Sequence, residues 1–199
     1  RKAGALSNLG TDPGAAAGRV SYLLGLKGPC YVLNTACSSS LVAVDAACQN
    51  LQLGRCSVAL AGGVNLQLHH RPWEGFCAMH ALSIDGQCKT FDVAADGFGR
   101  AEACGGVVLR LDAGGISMSV VAGTAVNQDG RSASFMAPNG PSQEAVLRAA
   151  MAADGVHVRT YTVMEMHGTG TALGDPMEVD ALHGVLGHMG TESGTLVLG

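Results

Sequence analysis

Apolar positions fall into alternating strand-like and helix-like runs with no long linker between them. Cys30-Tyr31-Val32-Leu33 is a short β-type run, and from Ser38 the period changes. Leu41, Val44, Ala47 and Leu51 then recur at helical spacing, widened by Val42, Ala46 and Cys48, until Gly54 stops the helix. Val58-Ala59-Leu60-Ala61 reads as a buried strand ended by Gly62-Gly63. Between Lys89 and Leu111, two extended runs flank Asp96-Gly97 and predict a hairpin whose second arm ends in Val107-Val108-Leu109.

A second series follows the break Asp112–Gly115. Ser119–Val126 reads as a strand, and Asn127-Gln128-Asp129-Gly130 as a turn of residues that tolerate left-handed backbone. A helix is predicted from about Ser142 to Ala153, with Val146, Leu147, Ala150 and Met151 on one face and Gly155 as its stop. Tyr161–Met166 is a further strand. The next helix has the clearest start signal: Asp175 as cap, Pro176 at the first helical position, and Glu178 completing a D-x-x-E box. Met177, Leu182, Val185 and Leu186 supply its stripe, and Gly187 closes it. The sum is α/β, with strands buried between helices.

Composition narrows the function classes. Of the 199 residues 14% are charged, against roughly 25% in an ordinary soluble domain, and 47% are hydrophobic. That excludes a disordered tail, while the apolar runs are too short to span a membrane. Twelve Lys+Arg against sixteen Asp+Glu give a net charge of −4 with no basic run, so nucleic acid is not expected as a partner. Seven cysteines, an odd number with no C-x-x-C spacing, suit reduced thiols in a cytoplasmic protein and no metal site. The first residues form no signal peptide, and with no starting methionine and a strand just beginning at Leu196 the chain reads as a fragment.

Candidate chemistry lies in two places. Thr35-Ala36-Cys37-Ser38-Ser39-Ser40 sits where a strand turns into a helix, so Cys37 stands near unpaired helix N–H groups and the positive end of the helix dipole. A dipole is worth about 1 kcal/mol, which alone leaves a thiol mostly protonated at pH 7, so a histidine partner is expected. On position alone Cys37 reads more readily as a small packed residue like Cys30, Cys48, Cys56, Cys77, Cys88 and Cys104. The second place is His167-Gly168-Thr169-Gly170-Thr171-Ala172-Leu173-Gly174, between a strand and a capped helix. Ligands in open α/β sheets bind beyond the carboxyl ends of strands, where Cys37 and His167 would share a crevice. Gly168, Gly170 and Gly174 also admit a degenerate dinucleotide loop, and the bland alternative is a turn with an incidental histidine. His69, His70, His80, His157, His183 and His188 have no chelating spacing, and Asp45 and Glu102 read as solvated or paired.

The segments Asn34–Leu41 (NTACSSSL), Cys88–Arg100 (CKTFDVAADGFGR), Asn127–Gly130 (NQDG) and His167–Glu178 (HGTGTALGDPME), in this order, resemble the ketosynthase domain of modular polyketide synthases, a β-ketoacyl-acyl-carrier-protein synthase. The resemblance covers nearly the whole chain. It implies a thiolase-like fold of α-β-α-β-α layers, incomplete at both ends, with residues 1–112 in the N-terminal half and 116–199 opening the C-terminal half. It also implies a homodimer and an acyl carrier protein as partner, with no bound cofactor because substrates ride on the carrier's phosphopantetheine. Cys37 would be the nucleophile, with its N–H in the oxyanion hole. His167 would hold the extender carbonyl while CO₂ leaves, and Thr169 and Thr171 would bind the pantetheine arm. The sequence departs from the family at Asn34, usually Asp, and at Ala101 and Ala103, usually Gly. Asp112–Gly115 is shorter than the family's connection, and a family lysine and second histidine would lie beyond Leu196. The fragment alone is therefore expected to be inactive. Two other classes remain at this point: a non-elongating acyl-binding module, and a cysteine hydrolase releasing free acid.

Overall fold

The computed structural model describes residues 4, 7–111, 117–153, 163–187 and 197–198. Its elements in order are α1 (Ser7–Thr11), α2 (Gly14–Leu24), α3 (Ser39–Gln52), β1 (Val58–Asn65), α4 (Arg71–Ala78), β2 (Ala103–Arg110), α5 (Gly140–Ala152), β3 (Val163–Met164), α6 (Gly174–Leu186) and β4 (Val197–Leu198). They gather into two compact units. One holds the described residues through Val64 with Ala103–Leu111, and the other holds Asn65–Glu102 with those from Ser117 onward. The expected break at Asp112–Gly115, Gly155 and His157 lie outside the described residues, as do Tyr161 and His188.

In the first unit β1 pairs with β2. Ala61 lies beside Gly106 and Gly62 beside Gly105, so the strands run in opposite directions. The expectation that Gly62-Gly63 ends the strand is corrected, because β1 continues through both to Asn65. The glycines mark close approach instead. A Cβ on Gly62 would fall 2.6 Å from the Gly105 carbonyl oxygen, and one on Gly63 would fall 2.9 Å from Ser40 Cβ in the first turn of α3. Helix α3 is where the period placed it, but its buried face is turned. Asp45, Ala47, Asn50 and Leu51 are buried, while Leu41 is 74% exposed. The polar members of that face bond within the helix, Gln49 Nε2 donating to Asp45 Oδ2 (2.7 Å) and Asn50 Nδ2 to the Ala46 carbonyl (2.7 Å).

In the second unit α5 packs on α6 around Leu182, Val185 and Leu186, with Leu147, Met151, Met164 and Met166 against them. Val185 is 1% exposed; burying such a side chain contributes about 1.5–3 kcal/mol. Both predicted stripes meet here. Asn139 caps α5 by accepting from the Ser142 N–H (3.3 Å) with Pro141 in the first turn, as the missing proline N–H allows. The turn expected at Asn127–Gly130 is not assigned as one, and of its four residues Gly130 alone is left-handed, at φ 61°. The segment is tied to the start of α5 by Asn127 Nδ2 to the Ser142 carbonyl (2.7 Å) and Asn139 Nδ2 to the Asp129 carbonyl (2.9 Å). The β3 and β4 segments pair in parallel, Val163 with Val197 and Met164 with Leu198.

Three strand expectations are corrected. The 30–33 and 119–126 runs join no sheet among the described residues. β-propensity reports fit to a neighbouring strand, and here Tyr31 and Val120 face solvent. The hairpin about Asp96-Gly97 does not form either. Phe98 instead bridges to Leu82 in parallel, with Phe98 N donating to the Ala81 carbonyl and Ser83 N to the Phe98 carbonyl, and residues from Ala103 pair with β1. Gly97, at φ 130°, is needed because a Cβ there would strike the 81–83 backbone, 2.6 Å from the Ala81 carbonyl oxygen. No helix among the described residues is long and apolar enough to cross a membrane.

Candidate active site

Cys37 lies in the first unit, exposed, just before α3. The turn that delivers it is built from its neighbours' short polar side chains. Ala36 stands in the left-handed region at φ 57°, a conformation costing a residue with a Cβ about 1–2 kcal/mol. The bonds that hold it are local. Asn34 Oδ1 accepts from Ala36 N (3.2 Å), and Ser39 Oγ donates to the Ala36 carbonyl (2.6 Å) while accepting from Thr35 N (2.9 Å). Ser38 Oγ donates to the Thr35 carbonyl (2.9 Å) and lies 2.9 Å from Thr35 Oγ1. Asparagine at position 34 supplies the same acceptor an aspartate would, so that departure leaves the turn intact. The turn leaves Cys37 exposed at the opening of α3.

His167 lies in the second unit, exposed, followed by a buried Gly168 and a buried Gly170. The structure brings Thr169 and Thr171 together, their hydroxyls 3.2 Å apart, in the same loop as His167. Two acids from the next helix hold this loop, which corrects the expectation that Asp175 and Glu178 form a capping box. The N-cap position is Leu173 and no side chain caps it. Glu178 accepts from the N–H of His167 (2.6 Å) and of Gly168 (3.0 Å), one carboxylate oxygen each. Asp175 is buried, 4% exposed; its Oδ1 accepts from Gly170 N (3.1 Å) and Thr171 N (3.4 Å), and its Oδ2 from Phe91 N (2.9 Å). Gly174 N donates to Thr171 Oγ1 (3.1 Å). The glycine N–H groups that would cradle a pyrophosphate are thus already committed, two of them to carboxylates. That removes the dinucleotide alternative, since an anion would meet like charge there.

The segment after Asp85 supports the loop from the other side. Gly97 N donates to the Gly170 carbonyl (2.9 Å), and Thr90 Oγ1 donates to the Gly168 carbonyl (2.5 Å). Gly168 (φ 51°) and Gly170 (φ 69°) are both left-handed. A Cβ on either would also collide with this support, 2.5 Å from Thr90 Cγ2 or 2.9 Å from Lys89 N. Lys89 staples the supporting turn, pairing with Asp96 (2.9 Å) and Asp85 (3.1 Å). The Ser83 hydroxyl and Lys89 pull the Asp85 carboxyl down to about 2; Lys89 and Ser83 hold Asp96 below its ordinary value, and Asp96 and Asp85 raise Lys89. The roles of Asp175, Glu178 and Thr90 were missed in the sequence. The readable signal was an accounting one: a glycine-rich loop exposes N–H donors that need acceptors, and the nearest carboxylates are the two assigned to capping. Elsewhere, Glu102 accepts from Gln67 N, and His69 stacks on His70 with ring centres 4.3 Å apart. No three His, Cys, Asp or Glu side chains among the described residues gather as a metal site.

Residues 1–114 match the family model described as β-ketoacyl synthase, N-terminal domain, and residues 118–199 match β-ketoacyl synthase, C-terminal domain. The chain is 48% identical over 198 residues to a phenolphthiocerol/phthiocerol polyketide synthase of Mycobacterium tuberculosis, covering 97% of this chain and 11% of that protein. It is 46% identical over 179 residues to erythronolide synthase EryA2 of Saccharopolyspora erythraea, covering 87% and 5%. Among solved structures it superimposes on an oxazolomycin ketosynthase domain of Streptomyces albus with a TM-score of 0.91 at 34% identity, over 95% of this chain and 33% of that one. The module 6 ketosynthase of the bacillaene synthase of Bacillus subtilis gives a TM-score of 0.83 at 37% identity, over 90% and 33%. The chain thus spans about a third of these solved chains and about a tenth or less of these curated relatives. The α/β fold is that of ketosynthase domains, the thiolase-like fold.

Proposed function

Because this chain belongs to the β-ketoacyl synthase family, we propose that it is the part of a polyketide ketosynthase carrying the acyl-accepting cysteine and the extender-binding histidine. The observation that carries the reading is Cys37, exposed at the mouth of α3 beyond the left-handed Ala36. In the first step Cys37 Sγ attacks the thioester carbonyl of a carrier-bound acyl chain. The carbon–sulfur bond to phosphopantetheine breaks, the carrier leaves as its thiol, and the chain is held on Cys37. The Cys37 N–H serves as an oxyanion donor in this step. A malonyl-type extender on an acyl carrier protein then loses CO₂. The electron pair of that carbon–carbon bond becomes a thioester enolate whose oxygen accepts from the His167 imidazole. The enolate carbon attacks the acyl-Cys37 carbonyl and expels the thiolate, leaving a β-ketoacyl chain on the carrier. Thr169 and Thr171 hydroxyls hydrogen-bond the pantetheine amides.

The two family halves are proposed to be 1–112 and 116–199, and the parent protein to work as a homodimer with the acyl carrier protein in the cytoplasm. Splitting condensation into acyl transfer and carbon–carbon bond formation is covalent catalysis, and an oriented oxyanion donor of the His167 kind contributes about 10²–10³ in rate. The test uses the full-length protein. An acyl-N-acetylcysteamine thioester should leave one modified cysteine, mapped to Cys37 by mass spectrometry, and malonyl-loaded carrier should then release CO₂. Label spread evenly over Cys37 and the other six cysteines of this chain would refute the nucleophile. Acylation without CO₂ release would identify a module that binds chains and does not extend them, and release of free acid a hydrolase.

A further inference from the structure

We propose that Thr90 is a positioning residue for His167, fixing the loop backbone so that the imidazole is held in place while the extender loses CO₂. The inference rests on the reading of His167 given above and extends it to a residue that touches no substrate. Gly168 follows His167 directly, and its carbonyl accepts from Thr90 Oγ1 (2.5 Å). The space its missing side chain leaves is filled by the same residue, since a Cβ there would stand 2.5 Å from Thr90 Cγ2 and 3.5 Å from Oγ1. Glu178 in turn accepts from the N–H of both His167 and Gly168. Two side chains therefore clamp the backbone at the imidazole's base, Glu178 through its N–H groups and Thr90 through the following carbonyl. The Thr90 backbone is itself anchored to the helix that carries Glu178, because Phe91 N donates to Asp175 Oδ2 (2.9 Å), with Phe91 in the left-handed region at φ 59°. Clamp and counter-clamp thus share α6, and His167 has little freedom to swing with its loop. Orientation of this kind bears on the step His167 assists and not on acyl transfer to Cys37.

The experiment measures the two half-reactions separately in the full-length protein. Thr90→Val keeps the branched shape and removes the hydroxyl; Thr90→Ser keeps the hydroxyl and removes the methyl. Thr90→Val is expected to lower kcat for CO₂ release from malonyl-loaded carrier about fivefold to tenfold, the rate equivalent of one net hydrogen bond. Acylation of Cys37 should stay within about twofold, and Thr90→Ser should recover CO₂ release to within about twofold. Equal loss in both half-reactions, or Thr90→Ser no better than Thr90→Val, would overturn the proposal. His167→Ala run alongside separates the two ideas. If it leaves CO₂ release intact, the role of His167 fails and that of Thr90 with it. If it abolishes release while Thr90→Val behaves as wild type, only the Thr90 proposal falls.

Discussion

Asp175→Asn separates a clamp from a cap. Asparagine caps helices as well as aspartate does, so at an N-cap the substitution would be nearly silent. In the observed geometry it is not. Oδ1 serves Gly170 N and Thr171 N, and Oδ2 serves Phe91 N, all N–H donors converging on a side chain that is 4% exposed. An amide offers one acceptor and one NH₂. With its oxygen toward the loop, the NH₂ faces the Phe91 N–H; flipped, it faces Gly170 and Thr171. Either way at least one donor in this part-buried cluster loses its partner, costing about 1–3 kcal/mol, and the surviving bonds lose the assistance of a full charge. A total of about 3 kcal/mol corresponds to roughly a 100-fold rise in the opening of the loop (about 1.4 kcal/mol per tenfold). Hydrogen exchange of the full-length protein reads this directly. The Phe91, Gly170 and Thr171 amides should exchange about 100-fold faster, with those around Val185 in α6 unchanged. A rise of less than about threefold at all three would refute the claim that the carboxylate holds both segments.

Gly63→Ala places a Cβ 2.9 Å from Ser40 Cβ. The first turn of α3 must shift, at an overpacking cost of about 1–3 kcal/mol; acylation of Cys37 by a thioester should slow about tenfold, and an unchanged rate would show that the strand and helix separate freely. The Lys89 staple gives a pH dependence whose sign follows from its shifts. Asp85 and Asp96 have lowered folded-state values, so their contribution is full above the ordinary aspartate value of about 3.9. It is lost as pH falls, for Asp85 down through about 2. Lys89 is raised, so its contribution is full below about 10.4 and lost as pH climbs through its higher folded value. The Gly97 amide, which follows Asp96 and donates to Gly170, should therefore lose hydrogen-exchange protection below about pH 4 and above about pH 10. Protection that is flat between pH 2 and pH 4, after correction for the intrinsic rate, would count against the staple.

The periodic elements were legible in the sequence because their signals are local. A 3.6-residue stripe with a glycine stop, and for α6 a proline in the first turn, located α3, α5 and α6 to within a few residues. The placement of Cys37 before a helix and of His167 after a strand was readable for the same reason, as was the resemblance carried by the four motifs. Partners were not legible. Gly62-Gly63 looked like a stop and proved to be where Gly105 and Ser40 approach; Asp96-Gly97 looked like a hairpin turn and proved to be where the 81–83 backbone lies against the chain. Asp175 and Glu178 matched a capping box at the right spacing, yet their oxygens went to the His167–Thr171 loop and to Phe91. Sequence alone settles what each residue is able to donate, accept or bury, because those properties belong to the residue. Which donor meets which acceptor depends on segments 78 and 84 positions apart coming together, as Thr90 does with Gly168 and Phe91 with Asp175. Only the folded backbone decides that, since a hydrogen bond acts over about 3 Å and carries no memory of distance along the chain.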